Sequence, residues 1–304
     1  MPHRRLPFRA LRHRLDAPAA DILILVSRTF PWALLKLSAA AASWAAAAVP
    51  SRANRLIDRH RRNILRPAGL DVSPCAIYRN MILSLFEFIR LSGRSDDAFA
   101  KAVRTEGAEH LAGALAGGRG AICITAHYGA WELIPRAVAL LGHLTGVVGR
   151  RLSSGAADEK LERLRTMHGI VALDRAASAR PILELLRANA AVGILIDQDT
   201  TAVESDFVDF FGIPALTPVG PARLAVRFGI PVVPLHISRR KDGSHLLVIE
   251  EALDPAGYAG ADGHLRLTAR LNGIIEGWIR SDPEQWIWFH ERWCRRPPGC
   301  PGLR

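Results

Sequence analysis

The chain has few long apolar runs, few cysteines and no serine-hydrolase elbow, and each shortage removes a class of protein. Between Ile22 and Val49 it is strongly apolar and Ala-rich, but Arg28, Pro31 and Lys36 interrupt it. The longest uncharged part of that segment, Leu37 to Pro50, is 14 residues. A helix that crosses a bilayer core needs about 20, so an unbroken transmembrane span is not secured. No small-residue cleavage site follows a compact apolar core, although the basic-then-apolar order resembles a signal peptide. The four cysteines, Cys75, Cys123, Cys294 and Cys300, form no Cys-x-x-Cys pair and no zinc spacing. A disulfide framework is therefore not indicated, and a reducing, cytoplasmic setting is favoured. No Gly-x-Ser-x-Gly sequence follows any strand pattern, which argues against an α/β-hydrolase serine esterase.

At 304 residues the chain can bury a large core. Its mean hydropathy of +0.10 is high for a soluble enzyme and low for a polytopic membrane protein. The net charge of +11 is concentrated at one end. Residues 1–66 hold 13 Arg and Lys against 3 Asp and Glu, whereas residues 67–304 hold 27 against 26. The basic character is thus an N-terminal property, and the body does not read as nucleic-acid-binding. Arginines beside an apolar segment point to an anionic membrane surface. The expected organisation is a basic arm and membrane-associated helical segment over residues 1–66, interfacial or a weakly hydrophobic single span, and an α/β domain over 67–304.

Within that domain, short branched runs alternate with helical patterns. Strands are predicted at Gly120–Thr125, Leu144–Gly149, Ile170–Leu173, Ala191–Ile196, Ile230–Ile237 and Leu246–Ile249. Helices are predicted at Asn54–Leu65, Ala76–Leu91, Leu133–Leu141, Ala156–His168, Pro181–Ala188, Pro221–Phe228 and Leu265–Ser281. The alternation predicts a mostly parallel central sheet flanked by helices, with one antiparallel pair near its end.

The sharpest local pattern is Thr125-Ala-His-Tyr-Gly-Ala-Trp-Glu132, at a strand-to-helix junction. Ligands bind at such carboxyl ends of strands in α/β sheets. A histidine on that loop and a carboxylate at the helix start can converge on one cleft, His127 as general base and Glu132 fixing its tautomer. The same spacing recurs at His245 and Glu250, but inside an apolar strand, where positions five apart face opposite ways, so His245 reads as a strand-end residue without chemistry. Strand ends also deliver Arg150 and Asp197 to the same rim. An arginine there binds phosphate or carboxylate, or stabilises an oxyanion, or is simply a surface residue. Asp197-Gln198 either orients a substrate or caps the next element. The loop from Asp206 to Pro214 holds three phenylalanines, suited to an acyl chain or membrane if exposed and to the core if buried. Residues 283–293 hold three of the seven tryptophans and read either as a lipid-interface belt or as a cap on the sheet.

Four motifs in this order resemble the bacterial lipid A late acyltransferases, the lauroyl/myristoyl transferases of the lysophospholipid acyltransferase-like superfamily. They are His-Tyr-Gly-Ala-Trp-Glu at 127–132, Gly193-Ile-Leu-Ile-Asp-Gln-Asp199, Phe210-Phe-Gly-Ile-Pro-Ala-Leu-Thr-Pro218, and Pro283-Glu-Gln-Trp-Ile-Trp through Arg292 to Arg296-Pro-Pro. The resemblance covers about residues 20–298. It implies a glycerolipid acyltransferase-like fold and transfer of an acyl chain from acyl carrier protein to a hydroxyl of a membrane glycolipid. It also implies the cytoplasmic face of the inner membrane as the site of reaction, and neither metal nor cofactor. By the same resemblance, His127 is the base and Glu132 its orienting partner. Arg165, in Leu164-Arg165-x3-Gly169, holds the oxyanion or a substrate phosphate, Asp197 and Gln198 border the pocket, and Arg150 matches a basic position after the preceding strand. Relatives sharing the catalytic pair acylate phosphatidylinositol mannosides, lysophospholipids or amino-acid lipids. The alternatives are therefore another lipid acceptor or a non-catalytic membrane-binding relative.

Overall fold

The computed structural model describes residues 6–149, 156–175 and 179–300. The N-terminal apolar segment forms two helices, α1 (Leu6–Thr29) and α2 (Trp32–Ala48), broken at Pro31, which adopts extended backbone ahead of α2. Then come α3 (Arg52–His60), capped by Ser51 and extended by a π-turn over Arg61–Leu65, α4 (Pro74–Ser92) and α5 (Asp96–Ala102). From there β1 (Val103–Glu106), α6 (Ala108–Leu115), β2 (Ala121–Thr125), α7 (Ile134–Leu140), β3 (Thr145–Gly149), α8 (Ala156–Thr166), β4 (Val171–Asp174), α9 (Arg180–Arg187) and β5 (Ala191–Leu195) alternate. The chain continues through β6 (Ser205–Phe210), β7 (Ile213–Pro218), α10 (Gly220–Phe228), β8 (Val232–Arg239), β9 (His245–Ile249) and α11 (Gly263–Ser281).

Among the described residues seven strands form one sheet in the order β1-β9-β8-β2-β5-β3-β4, in which only β8 and β9 pair antiparallel. This is the mostly parallel, helix-flanked sheet that the alternation predicts. Both faces are covered, as a parallel sheet requires. Along β2 the side chains divide between two cores: Ala121 and Cys123 join residues of α4 to α8, while Ile122, Ile124 and Ala126 join residues of α9 to α11. Cys123 is a small core residue whose thiol burial pushes up to about 12.

Three expectations are settled by burial. The phenylalanine-rich loop is a β-hairpin, β6–β7, in which Phe210 is wholly buried in the core, Phe211 is half-buried against it and Phe207 is half-buried outside it. The tryptophan cluster is likewise internal: Trp286, Trp288 and Trp293 are buried, and Trp44 on α2 is exposed instead. The charge boundary at residue 66 is not a packing boundary, because Ile57, Ile64 and Leu65 sit in the same core as α11.

α2 packs across α4 through Leu35, Ala39 and Ser43, one side chain per turn, and Ser43 Oγ lies 3.9 Å from Cys75 Sγ. The other faces of α1 and α2 expose Ile22, Leu25, Leu34, Leu37 and Trp44, and Phe30 and Val49 just beyond the helix ends are exposed too. Among the described residues no single helix is long and apolar enough to cross a membrane; α2 and the helix from Arg52 to Leu65 pass together but are bent by 86°.

Among the described residues four histidines are held as neutral rings, His60 and His245 buried and His236 and His290 half-buried. Burial lowers His60, His236 and His290 to about 4 and His245 to about 3, from an ordinary value of 6.5. Between those values the unfolded chain binds protons that the folded chain refuses, so stability is complete near neutrality and is lost as pH falls from about 6.5 towards 4. Each ring contributes at most on the order of 1 kcal/mol per pH unit. Urea midpoints measured at pH 7.5, 6 and 5 are expected to fall steadily; a flat profile over that range would mean these rings are solvated.

Candidate active site

The parallel register builds the centre of the site. Thr125 of β2 pairs with Leu195 of β5, so two residues further on His127 comes beside Asp197. Asp197 is 1% exposed and its carboxylate accepts three N–H groups. Oδ2 takes the His127 backbone N–H at 2.8 Å and Trp286 Nε1–H at 2.8 Å, and Oδ1 takes His127 Nδ1–H at 2.8 Å. Burial by itself raises this carboxyl. The adjacent imidazole and the three hydrogen bonds outweigh burial and bring it down to about 2, so it is ionised. An ionised Asp197 accepts from Nδ1, which leaves the imidazole lone pair on Nε2. There the Gln198 amide donates at 3.1 Å, and the same Nε2 of Gln198 lies 3.4 Å from His290 Nε2. The His127 and His290 rings are 5.6 Å apart.

The carboxylate that orients His127 is therefore Asp197, and this corrects the expectation for Glu132. Glu132 stands in a 3-10 turn, Trp131–Leu133, that turns it towards α8. Arg165 meets it there with both arms, Nε to Oε2 at 2.8 Å and Nη2 to Oε1. The Trp131 ring lies edge-on to His127 at 5.2 Å. A bidentate guanidinium is a stronger partner for a carboxylate than a ring nitrogen already engaged elsewhere.

The loop carrying His127 is held from the C-terminal side. Tyr128 bridges to Trp286, and Gly129 N–H donates to Gln285 O at 2.9 Å. Gly129 has φ +58°, and a Cβ there would stand 1.9 Å from Ile237 O, so only glycine fits. Asp199, beyond Gln198, binds Arg295 through the Arg295 backbone N–H at 2.8 Å and its guanidinium. Asp197-Gln198-Asp199 thus sends its first side chain beneath His127, its second into the site and its third to the C-terminal segment. The fully buried Arg292 donates to Leu216 O at 2.6 Å and Thr217 Oγ1 at 2.7 Å, clamping the same segment onto β7.

His127, Glu132, Arg165 and Gln198 line one cavity of about 1220 Å³ whose wall is largely apolar, with Val147, Gly193 and Leu195 along the sheet. The structure brings together His127, Asp197 and Gln198, and joins Glu132 to Arg165. Arg150 lies outside the described residues. His245 is buried with Nε2 3.5 Å from Glu87 Oε2, away from the cavity. Sequence reasoning missed Trp286 and His290 as site residues; the tryptophan density around them was the available signal.

Comparison with known proteins gives a family. The model of the bacterial lipid A biosynthesis acyltransferases matches residues 67–295. The phosphatidylinositol mannoside acyltransferase of Mycobacterium tuberculosis H37Rv is 33% identical over 134 residues, 43% of this chain and 42% of that protein. The one from Mycolicibacterium smegmatis is 26% identical over 245 residues, covering 77% and 78%. The lipid A biosynthesis lauroyltransferase of Escherichia coli K12 is 28% identical over 210 residues, covering 68% and 66%. The match thus spans about two fifths of the first mycobacterial relative and up to about four fifths of the others. A 1-acyl-sn-glycerophosphate acyltransferase structure from Thermotoga maritima aligns over 76% of this chain at 15% identity, with a TM-score of 0.37.

Gly129→Ala combines a left-handed backbone with a clash against main chain that cannot move aside. It is expected to cost about 2 kcal/mol or more and to lower the thermal midpoint by several degrees. Calorimetry of the two proteins measures this, and an unchanged midpoint would show that the loop is not held as described.

Proposed function

Because the chain belongs to the bacterial lipid A biosynthesis acyltransferase family, we propose that it moves a fatty acyl chain from acyl carrier protein to a hydroxyl of a membrane glycolipid, a lipid A precursor. The observation that carries this reading is the His127 imidazole, fixed through Nδ1 by a buried, ionised Asp197 and presenting its Nε2 lone pair to a large apolar cavity. That is the state a general base needs towards an acceptor hydroxyl, and the substrate supplies the nucleophile.

The acceptor hydroxyl takes the place of the Gln198 amide at Nε2. As its oxygen attacks the thioester carbonyl, His127 accepts the proton, and Asp197 stabilises the imidazolium across the 2.8 Å hydrogen bond. Arg165, steadied by Glu132, presents a cation to an anionic substrate group such as a phosphate. Glu132 then acts as a positioning residue, and its loss costs less than loss of Asp197. Arg150 remains a candidate from the sequence for the same anion. The acyl chain occupies the apolar part of the cavity.

The same chemistry serves a phosphatidylinositol mannoside acceptor, a reading favoured by the 33% identity to a mycobacterial transferase of that name. Purified protein, acyl-loaded carrier protein and each acceptor, with product masses read by mass spectrometry, separate the two. His127→Ala and Asp197→Asn are expected to lower kcat by about 10²–10⁴ with the fold retained. Wild-type rates in either variant would remove the base assignment, and no product from wild type with either acceptor would favour a non-catalytic lipid-binding role.

The site of action proposed is the cytoplasmic face of the inner membrane. Exposed Leu34, Leu37 and Trp44 beside the arginine-rich N-terminal 66 residues support docking on an anionic surface. Cosedimentation with anionic vesicles is expected to weaken as salt shortens the Debye length from about 10 Å at 0.1 M to about 3 Å at 1 M. Salt-independent binding would point to insertion alone.

A further inference from the structure

Thr125 closes β2 with a buried hydroxyl that nothing among the described residues satisfies. The residue is 6% exposed, its Oγ1 has no hydrogen-bond partner among the described residues, and it lines the same cavity as His127. A buried hydroxyl without a partner costs stability that valine, the same shape and an equally good strand former, would not. The five residues of β2 are otherwise apolar at every buried position, Ala121-Ile-Cys-Ile124.

The alternation of β2 says where this hydroxyl points. Ile122, Ile124, Ala126 and Tyr128 all belong to the core on the α9–α11 side. Thr125 and His127 therefore project to the other side together, Thr125 one pleat deeper. Beyond Thr125 the cavity wall continues past Leu195 to Gly193, where β5 offers no side chain. A substrate whose reacting carbon sits beside His127 and whose chain runs along Gly193 lies over Thr125, so its carbonyl oxygen can reach that hydroxyl. Asp197 is held by three N–H donors and Glu132 by Arg165, while the Gln198 amide, bonded to the imidazoles here, gives up His127 Nε2 to the acceptor hydroxyl and leaves Thr125 as the donor on the strand itself.

We propose that Thr125 is a catalytic hydrogen-bond donor, its hydroxyl stabilising the oxyanion that forms on the carbonyl oxygen of the acyl donor. The inference rests on the acyl-transfer reading given above. The step balances without any further reactant. The acceptor oxygen bonds to the thioester carbonyl carbon while its proton passes to His127 Nε2, and the carbonyl π electrons move onto oxygen. Thr125 Oγ1–H donates to that oxyanion, whose charge is greater than in the starting thioester, so the bond strengthens as the barrier is approached. Collapse restores the carbonyl, expels the carrier thiolate and returns the His127 proton to that sulfur.

Thr125→Val and Thr125→Ser test this in the full-length protein with an acyl-loaded carrier protein and the acceptor that wild type uses. Thr125→Val is expected to lower kcat by about 10- to 100-fold, with KM for the donor within about threefold and a thermal midpoint equal to or above that of wild type. Thr125→Ser, which keeps the hydroxyl and loses only a methyl group, is expected to recover most of kcat. A valine variant within about twofold of the wild-type kcat overturns the proposal. So does a serine variant that is as slow as valine, because the hydroxyl is then not what matters. Should wild type itself transfer nothing, the acyl-transfer reading fails first and separately.

Discussion

A single buried carboxylate holds the cavity end of the sheet together. Taking an isolated charge out of water costs several kcal/mol, and Asp197 offsets that cost only because three N–H groups reach it from two distant parts of the chain. One is the main chain of the β2–α7 loop, one is an imidazole, and one is an indole 89 residues further on. Each donor also depends on the carboxylate for its own place. The strand pairing, the loop conformation and the C-terminal segment are therefore coupled by electrostatics as much as by packing.

Much of the architecture was legible because its strands are short, branched and separated by helical patterns, and the sheet they form is the one the alternation implies. The hairpin β6–β7 was not, since Gly212, Pro214 and Pro218 mask the period of two that Phe207, Val208 and Phe210 only partly carry. The tryptophans were legible as a cluster but not as core, because indole suits a lipid interface and a protein interior equally well. Burial, not composition, decides between those surroundings.

His127 could be singled out from one strand end, but its partner could not. Spacing along the chain favoured Glu132, five residues away, whereas the true neighbour is 70 residues away and is supplied by strand order. Asp197 was visible at the right rim, and only the adjacency of β2 and β5 turns it from a rim residue into the one beneath the imidazole. Glu132 remains at the site through Arg165, so the motif spacing reflects a role, though a different one.

The C-terminal segment bears on how the molecule comes into being. A chain emerging from the ribosome can pair β2 with β5 once Leu195 has been made, yet Trp286, Gln285 and Arg292, which fasten the loop and the hairpin, come only afterwards. Contacts that span so much sequence close slowly. His127 is thus held from both sides only once Trp286 has been made, and a chain that stops before it carries His127 on a loop with nothing fastening it from that side.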